Sequence, residues 1–267
     1  MIIDKDTIMY FSGTGNSLQV CKDIVKELNN FELFKIAELP KDKIEVKAKS
    51  LGIVFPVYYD RIPLLVEEFV KRLDISSDTY VFGVVTYGGF PGRVIIRLEN
   101  ILQDNGFKLN AGFLVHMPPN YILAYNASSI KRQNKIFQKE KLKINEIVAV
   151  IKYKKEQPCK VSKLKFDVLI DKVFTKTTDK IMKNLHVKDK GFWVKDNCNG
   201  CRICEKICPA NNIEFKDNKP TWKHNCEVCV ACIQNCPREA IQWGNKTTKR
   251  KRYRNPDISI NELIGSK

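Results

Sequence analysis

Residues 7–11, Thr-Ile-Met-Tyr-Phe, form a short apolar run, and after the turn that follows it the apolar positions change period. Leu18, Val20, Cys21, Ile24, Val25 and Leu28 recur at helical spacing and stop near Asn29-Asn30. The pattern predicts a buried strand, a turn and an amphipathic helix. The same alternation continues downstream. Residues 31–36, 51–55, 80–86 and 109–117 read as further strands, with amphipathic helices over 62–73 and 93–104 between them. Five strands alternating with helices predict an α/β fold with a doubly wound parallel sheet, whose ligand lies beyond the carboxyl ends of the strands. Residues 128–156 and 163–188 are lysine-rich, with apolar residues at helical intervals such as Ile136, Ile144, Ile147 and Ile151. They read as two more helices, separated by Gln157-Pro158-Cys159.

The first turn carries chemistry. Ser12-Gly13-Thr14-Gly15-Asn16-Ser17 sits between strand and helix, where backbone N–H groups and the positive helix end hold an anion. Glycines let the backbone close around a phosphate, and the hydroxyls donate to its oxygens. The alternative is a plain helix cap, which Ser and Thr also favour. No lysine lies in the loop, which argues against a Walker-type nucleotide site.

Eight cysteines near the C-terminus fall into two copies of one pattern. One is Cys198-x2-Cys201-x2-Cys204-x3-Cys208-Pro209, and the other is Cys226-x2-Cys229-x2-Cys232-x3-Cys236-Pro237. Zinc sites pair two CxxC units at wider separation, so a third in-register cysteine leaves surplus ligands. Disulfides are disfavoured because cysteines this close bridge poorly. The spacing resembles the bacterial ferredoxin run, in which the fourth cysteine ligates the other four-iron cluster. That resemblance implies Cys198, Cys201, Cys204 and Cys236 on cluster one, and Cys226, Cys229, Cys232 and Cys208 on cluster two. Apolar triplets at 213–215 and 241–243 follow the two runs, so the internal repeat extends beyond the ligands. Cys21 and Cys159 lie outside it and read as inert thiols.

The formal charge is +16, unevenly spread: net −1 over residues 1–130, +10 over 131–189 and +7 over 190–267. Such a field favours acidic partners. Lys249-Arg250-Lys251-Arg252-Tyr253-Arg254 could touch nucleic acid, but no recognition module accompanies it, and a solvated disordered tail is the expectation for residues 246–267. No apolar run reaches bilayer length, and Met1-Ile-Ile-Asp-Lys-Asp lacks the order of a signal peptide. Thiolate clusters and this N-terminus point to the cytoplasm, in an anaerobic cell.

Phe11-Ser12-Gly13-Thr14-Gly15-Asn16-Ser17 resembles the flavodoxin phosphate loop, which binds the 5′-phosphate of FMN. The whole chain resembles the fused flavodoxin–ferredoxin proteins, which carry FMN and two [4Fe-4S] clusters. The resemblance covers roughly residues 5–120 and 190–245. It implies a flavodoxin-like sheet in the order 2-1-3-4-5 and a C-terminal α+β ferredoxin-type domain. The division is then 1–160 for the FMN domain, 161–190 for a helical connector, 191–245 for the cluster domain and 246–267 for the basic tail. Two further loops would hold the flavin ring: Pro56, Val57, Tyr58 and Tyr59 with Asp60-Arg61, and Thr86, Tyr87, Gly88 and Gly89 with Phe90-Pro91-Gly92. Tyr58 and Tyr87 are placed either to stack on the flavin or to pack the strand ends. Arg61 and Arg93 flank these loops, where long-chain flavodoxins are acidic; positive charge there raises a flavin's potential.

His116, after the fifth strand, is a candidate proton donor, weighed against a hydrogen-bonded structural role that its position favours. Asn120 and Tyr121 are weaker candidates near the flavin. The implied function is electron transfer between FMN, the clusters and an external redox partner, an acidic ferredoxin or redox enzyme. The alternative is an FMN-dependent reductase of a small organic acceptor (a quinone, a nitro or azo compound, or an activated alkene) fed by the clusters.

Overall fold

The computed structural model describes residues 1–159 and 178–265. Thr7–Tyr10 (β1), Glu32–Lys35 (β2), Ser50–Pro56 (β3), Tyr80–Tyr87 (β4) and Ala111–His116 (β5) form one sheet in the order β2-β1-β3-β4-β5. All neighbouring pairs are parallel. This is the doubly wound order 2-1-3-4-5 that places the switch point, and therefore the ligand crevice, at the end of β1. β3 and β4 are buried along nearly their whole length, as central strands covered on both faces must be.

Four helices cover the sheet: Asn16–Leu28 (α1), Leu64–Val70 (α2), Val94–Asp104 (α3) and Ile130–Lys152 (α4). α1 packs on α4, and α2 on α3. α1 carries the chain from β1 to β2, whereas α2 and α3 carry it the opposite way across the sheet. Right-handed crossovers then put the two helix pairs on opposite faces. The fully buried Phe11, Phe55, Phe69 and Phe82 fill the core, each stabilising it by about 1.5–3 kcal/mol.

The helix expected over 62–73 stops at Val70. Leu73–Ile75 instead pairs with Ile44–Val46, which pairs with Ile2–Ile3, in a small parallel sheet of its own. Strands this short carry too few residues for period two to show. The expected helix over 163–188 and the connector over 161–190 lie largely outside the described residues. At their end, 178–183 are helical and His186–Gly191 forms a 3-10 turn.

Beyond Gly191 two antiparallel pairs frame the cysteine runs. Phe192–Val194 pairs with Ile241–Trp243, and Ile213–Lys216 pairs with Lys219–Trp222 across Asp217 and Asn218, both at positive φ. Asp and Asn tolerate the left-handed conformation that so tight a hairpin demands. Each run feeds a short helix, Ile203–Ile207 and Ala231–Gln234.

The C-terminal segment departs from expectation. It is not a solvated tail: Tyr253, Asn255 and Ile258 are buried, at 3, 0 and 1 % exposure. The chain crosses back over the N-terminal half and ends in the helix Ile260–Ile264, opened by a Ser259–Glu262 capping box. Lys22 pairs with Glu262 at 2.5 Å, and the Lys35 ammonium donates to the carbonyls of Leu263 and Ile264 at 2.6 and 2.9 Å. The Lys22 hydrogen bond, then those from Ser259, draw Glu262 down to about 2. Composition alone misses this because the basic run alternates with Tyr253, Asn255 and Ile258, which carry the packing.

Candidate functional site

The carboxyl ends of β1, β3, β4 and β5 open onto a cavity of about 350 Å³. Ser12, Gly13, Thr14, Asn16 and Ser17 line it from the first loop, Pro56 to Asp60 from the second, Thr86 to Phe90 from the third, and Met117 to Tyr121 from the fourth. Val228 and Val230 of the second cysteine run close the wall, so the two halves of the chain build one site. Of the residues singled out in the sequence for these loops, Gly15, Arg61, Pro91, Gly92, Arg93 and His116 do not line the cavity. His116 packs on Tyr87 with ring centroids 5.3 Å apart, and its Nε2 lies 3.3 Å from the Gly88 carbonyl, so it shapes the third loop from behind.

The first loop is held open by its own bonds. Gly15 has φ 97°, a left-handed conformation that turns the chain into α1. Ser12 Oγ accepts from the Gly15 amide at 3.1 Å, and Thr14 Oγ1 accepts from Asn120 Nδ2 at 2.6 Å. Each hydroxyl keeps its own proton to donate. Ser17 and Thr86 share a 2.8 Å hydroxyl contact that ties the first loop to the third. The Asn16 side chain is committed elsewhere: it donates to the Pro118 carbonyl at 3.1 Å and accepts from Tyr253 Oη at 2.6 Å. Its backbone N–H stands at the start of the helix, a position where anions are held.

Tyr58 stands edge-on to Phe11, with ring centroids 5.9 Å apart. Burial, then the nearby Cys229, holds its phenol well above the usual range. Tyr59 and Asp60 take positive φ in the tight turn that Tyr58 closes with Arg61. Tyr59 packs edge-on to Tyr121, their hydroxyls in contact, while the Lys188 ammonium sits 4.5 Å from the Tyr59 ring centre. Arg61 is ion-paired with Asp179. A Cβ at Gly13 would lie 2.5 Å from the Cys229 carbonyl oxygen and 2.9 Å from the Tyr58 hydroxyl. The phosphate-type loop thus touches the second cysteine run directly.

The cysteines assort into two quartets. Cys198, Cys201, Cys204 and Cys236 surround one small pocket, with Phe215 and Pro220 among its walls. Cys208, Cys226, Cys229 and Cys232 surround another, with Phe192 and Trp222 among its walls. In each, the fourth thiol comes from the other run. Among the described residues, no three His, Cys, Asp or Glu are gathered as they would be around a single metal ion.

The backbone repeats as well as the sequence. Positive φ recurs at Gly200 and Val228, at Arg202 and Val230, and at Asn211 and Glu239. For β-branched Val228 and Val230 this is a strained conformation, of the kind that collects at functional sites. Backbone amides point at sulfur in matching places: Asn212 N to Cys208 Sγ and Ala240 N to Cys236 Sγ, both 3.3 Å. Val228 N adds a 3.2 Å bond to Cys226 Sγ.

The quartets differ in access. Cys201 is exposed, whereas Cys226, Cys229 and Cys232 are all buried. Burial pushes the Cys204 and Cys226 thiols up to about 12, and raises Cys229 and Cys232 well above the ordinary range. Burial likewise lifts Glu227, beside the inner quartet, to about 7. Val228, Val230 and the C-terminal residues bearing on the loop were not legible as site residues. They carry no chemical signature and reach the cavity only through the fold.

No family model matches the chain, and no curated protein matches it. Solved structures similar to part of it include two-electron reduced flavodoxin from Megasphaera elsdenii, at 17% identity over 43% of this chain and 85% of that one, TM-score 0.33. A flavodoxin from the domain Archaea is 15% identical over 56% of this chain and 99% of the other, TM-score 0.32. An FMN-dependent NADH-azoreductase from Bacillus anthracis is 10% identical over 56% and 99%, TM-score 0.41.

Proposed function

We propose that this chain is an electron-transfer protein that holds FMN at the strand ends and a [4Fe-4S] cluster in each cysteine quartet. The observation that carries the reading is the assortment of eight thiols into two sets of four, each completed by a cysteine from the other run. That exchange is the ligand order of two-cluster ferredoxins, in which the fourth cysteine of each run ligates the other cluster. The donor set fits: buried thiols held high by desolvation become thiolates once iron supplies positive charge, and amides already aimed at sulfur stabilise that state.

The cavity fits a flavin mononucleotide. Gly13 to Ser17 and the start of α1 would take the phosphate, while Tyr58, Tyr59, Tyr87 and the Gly88-Gly89 turn would flank the ring. When bound, FMN exchanges one or two electrons and a four-iron cluster exchanges one, which suits a relay between unlike partners. The exposed Cys201 and the buried Cys226, Cys229 and Cys232 support an order: external carrier, outer quartet, inner quartet, flavin cavity. The inner quartet is set against that cavity through Val228, Val230 and the Cys229–Gly13 contact. The excess positive charge of residues 131–267 would dock an acidic carrier.

The reductase alternative finds less support. The titratable groups in the cavity lining are Asp60 and tyrosines, and His116 stands outside it. The test is reduction of bound FMN by an external reduced ferredoxin, followed anaerobically by stopped flow. Cys229→Ser, which removes an inner-quartet ligand, should slow that reduction at least about tenfold. An unchanged rate in a variant shown to lack the inner cluster would overturn the relay order.

A further inference from the structure

Gln234 sits between Cys232 and Cys236 and is buried, yet both ends of its amide are spent outside the cysteine module. Its Nε2 donates to the Asn120 carbonyl at 2.7 Å, and its Oε1 accepts from the Tyr253 amide at 2.8 Å. Both branches continue to the anion-type loop. Asn120 Nδ2 donates to Thr14 Oγ1 at 2.6 Å, and Tyr253 Oη donates to Asn16 Oδ1 at 2.6 Å. Asn255 adds a third tie: its backbone N–H donates to the Thr14 carbonyl at 2.9 Å and its Nδ2 to Asn16 Oδ1 at 3.3 Å. Its Cβ and that of Ile258 lie against the back of Gly15, each 3.0 Å from where a Cβ would stand there.

This loop contains two glycines and must hold several N–H groups in one orientation to bind an anion. An isolated Gly-rich turn loses much conformational freedom in doing so. Here the ordering is supplied from outside, by the helix that bears Cys232 and by the C-terminal segment, through buried hydrogen bonds.

We infer that Gln234, Tyr253 and Asn255 are positioning residues for the anion-binding loop, and that through them the filled cysteine module and the filled flavin cavity stabilise each other. The inference rests on the FMN and cluster reading above. Coupling of this kind is reciprocal: whatever the clusters add to flavin affinity, the flavin adds to cluster retention.

The test uses cluster-loaded full-length protein under anaerobic conditions, with FMN affinity read by fluorescence quenching. Tyr253→Phe should weaken FMN about 3- to 10-fold by removing one hydrogen bond to Asn16. Gln234→Ala should weaken it about 10- to 100-fold, since it severs both branches. A second readout separates positioning from plain loss of stability. FMN at saturation should slow iron loss to a ferrous chelator in the parent protein, and slow it markedly less in FMN-saturated Tyr253→Phe. Affinities within twofold of the parent in Tyr253→Phe, with cluster absorbance intact, overturn the inference. Should Gln234→Ala lose its clusters on purification, Tyr253→Phe decides alone. Parent protein that carries clusters but binds no FMN overturns the functional reading itself and the coupling with it.

Discussion

Gly13 concentrates the account into one residue. Its missing side chain lets the first loop lie against both the Cys229 carbonyl and the Tyr58 hydroxyl. Because one of those neighbours is backbone, Gly13→Ala cannot be absorbed by a rotamer change. Overpacking of this kind costs about 1–3 kcal/mol, and here it falls on the junction between two sites. The substitution should lower FMN affinity roughly tenfold and depress the thermal midpoint by several degrees. Fluorescence titration and calorimetry on the same preparation check both. The glycine was legible in sequence as part of a phosphate-type loop; its second neighbour was not, because nothing in residues 12–17 signals that Cys229 will pack there. Tyr58 shows the same limit. Its place beside the cavity follows from the strand end before it, while its burial against the inner quartet follows only from how the modules meet.

At the scale of elements, the contact between α1 and α4 holds a buried carboxyl that the proposed function does not use. Glu140 is 2 % exposed, and desolvation, then Asp23, raises it to about 8 from 4.5. Between those values the folded chain keeps a proton that the unfolded chain releases, so stability falls as pH rises from about 4.5 to about 8. Glu140→Gln removes that dependence. It should match the parent near pH 5 and exceed it by about 1–3 kcal/mol at pH 8.5. Denaturant unfolding at the two pH values measures the difference, and an equal gain at both would refute the assignment.

Elements with a clear apolar run or a helical period were readable from sequence: the five strands lie on the runs, and α1, α3 and α4 where the period put them. Those fixed by tertiary pairing were not. The three-stranded sheet built on Ile2–Ile3 is too short for a pattern, and the buried C-terminal segment hides its packing residues among basic ones. The two cysteine runs stand out through their repeated spacing, and the exchange of the fourth cysteine between them is what the resemblance to the bacterial ferredoxin run implies.

Across the whole molecule, the second cysteine run lines the cavity at the strand ends through Val228 and Val230, whereas the outer quartet stands apart from that lining and holds the exposed Cys201. The acidic and basic residues of 1–130 are nearly balanced, and the positive excess falls in the remainder of the sequence. Reduction by an acidic carrier should therefore slow steeply as ionic strength rises from 0.02 to 0.5 M, by about tenfold or more. A neutral or basic carrier should show little change. Salt-independent kinetics with the acidic carrier would remove electrostatic docking while leaving the internal relay untouched. No helix among the described residues is long and apolar enough to cross a membrane.

The central claim, that one chain joins a flavin to two four-iron clusters, is tested most directly by its cofactor content. Protein purified without oxygen and assayed for iron, acid-labile sulfide, zinc and flavin should contain about eight iron and eight sulfide per chain, with one FMN. Zinc in place of iron and sulfide, or iron–sulfur content with a flavin-free cavity that rejects added FMN, would contradict it.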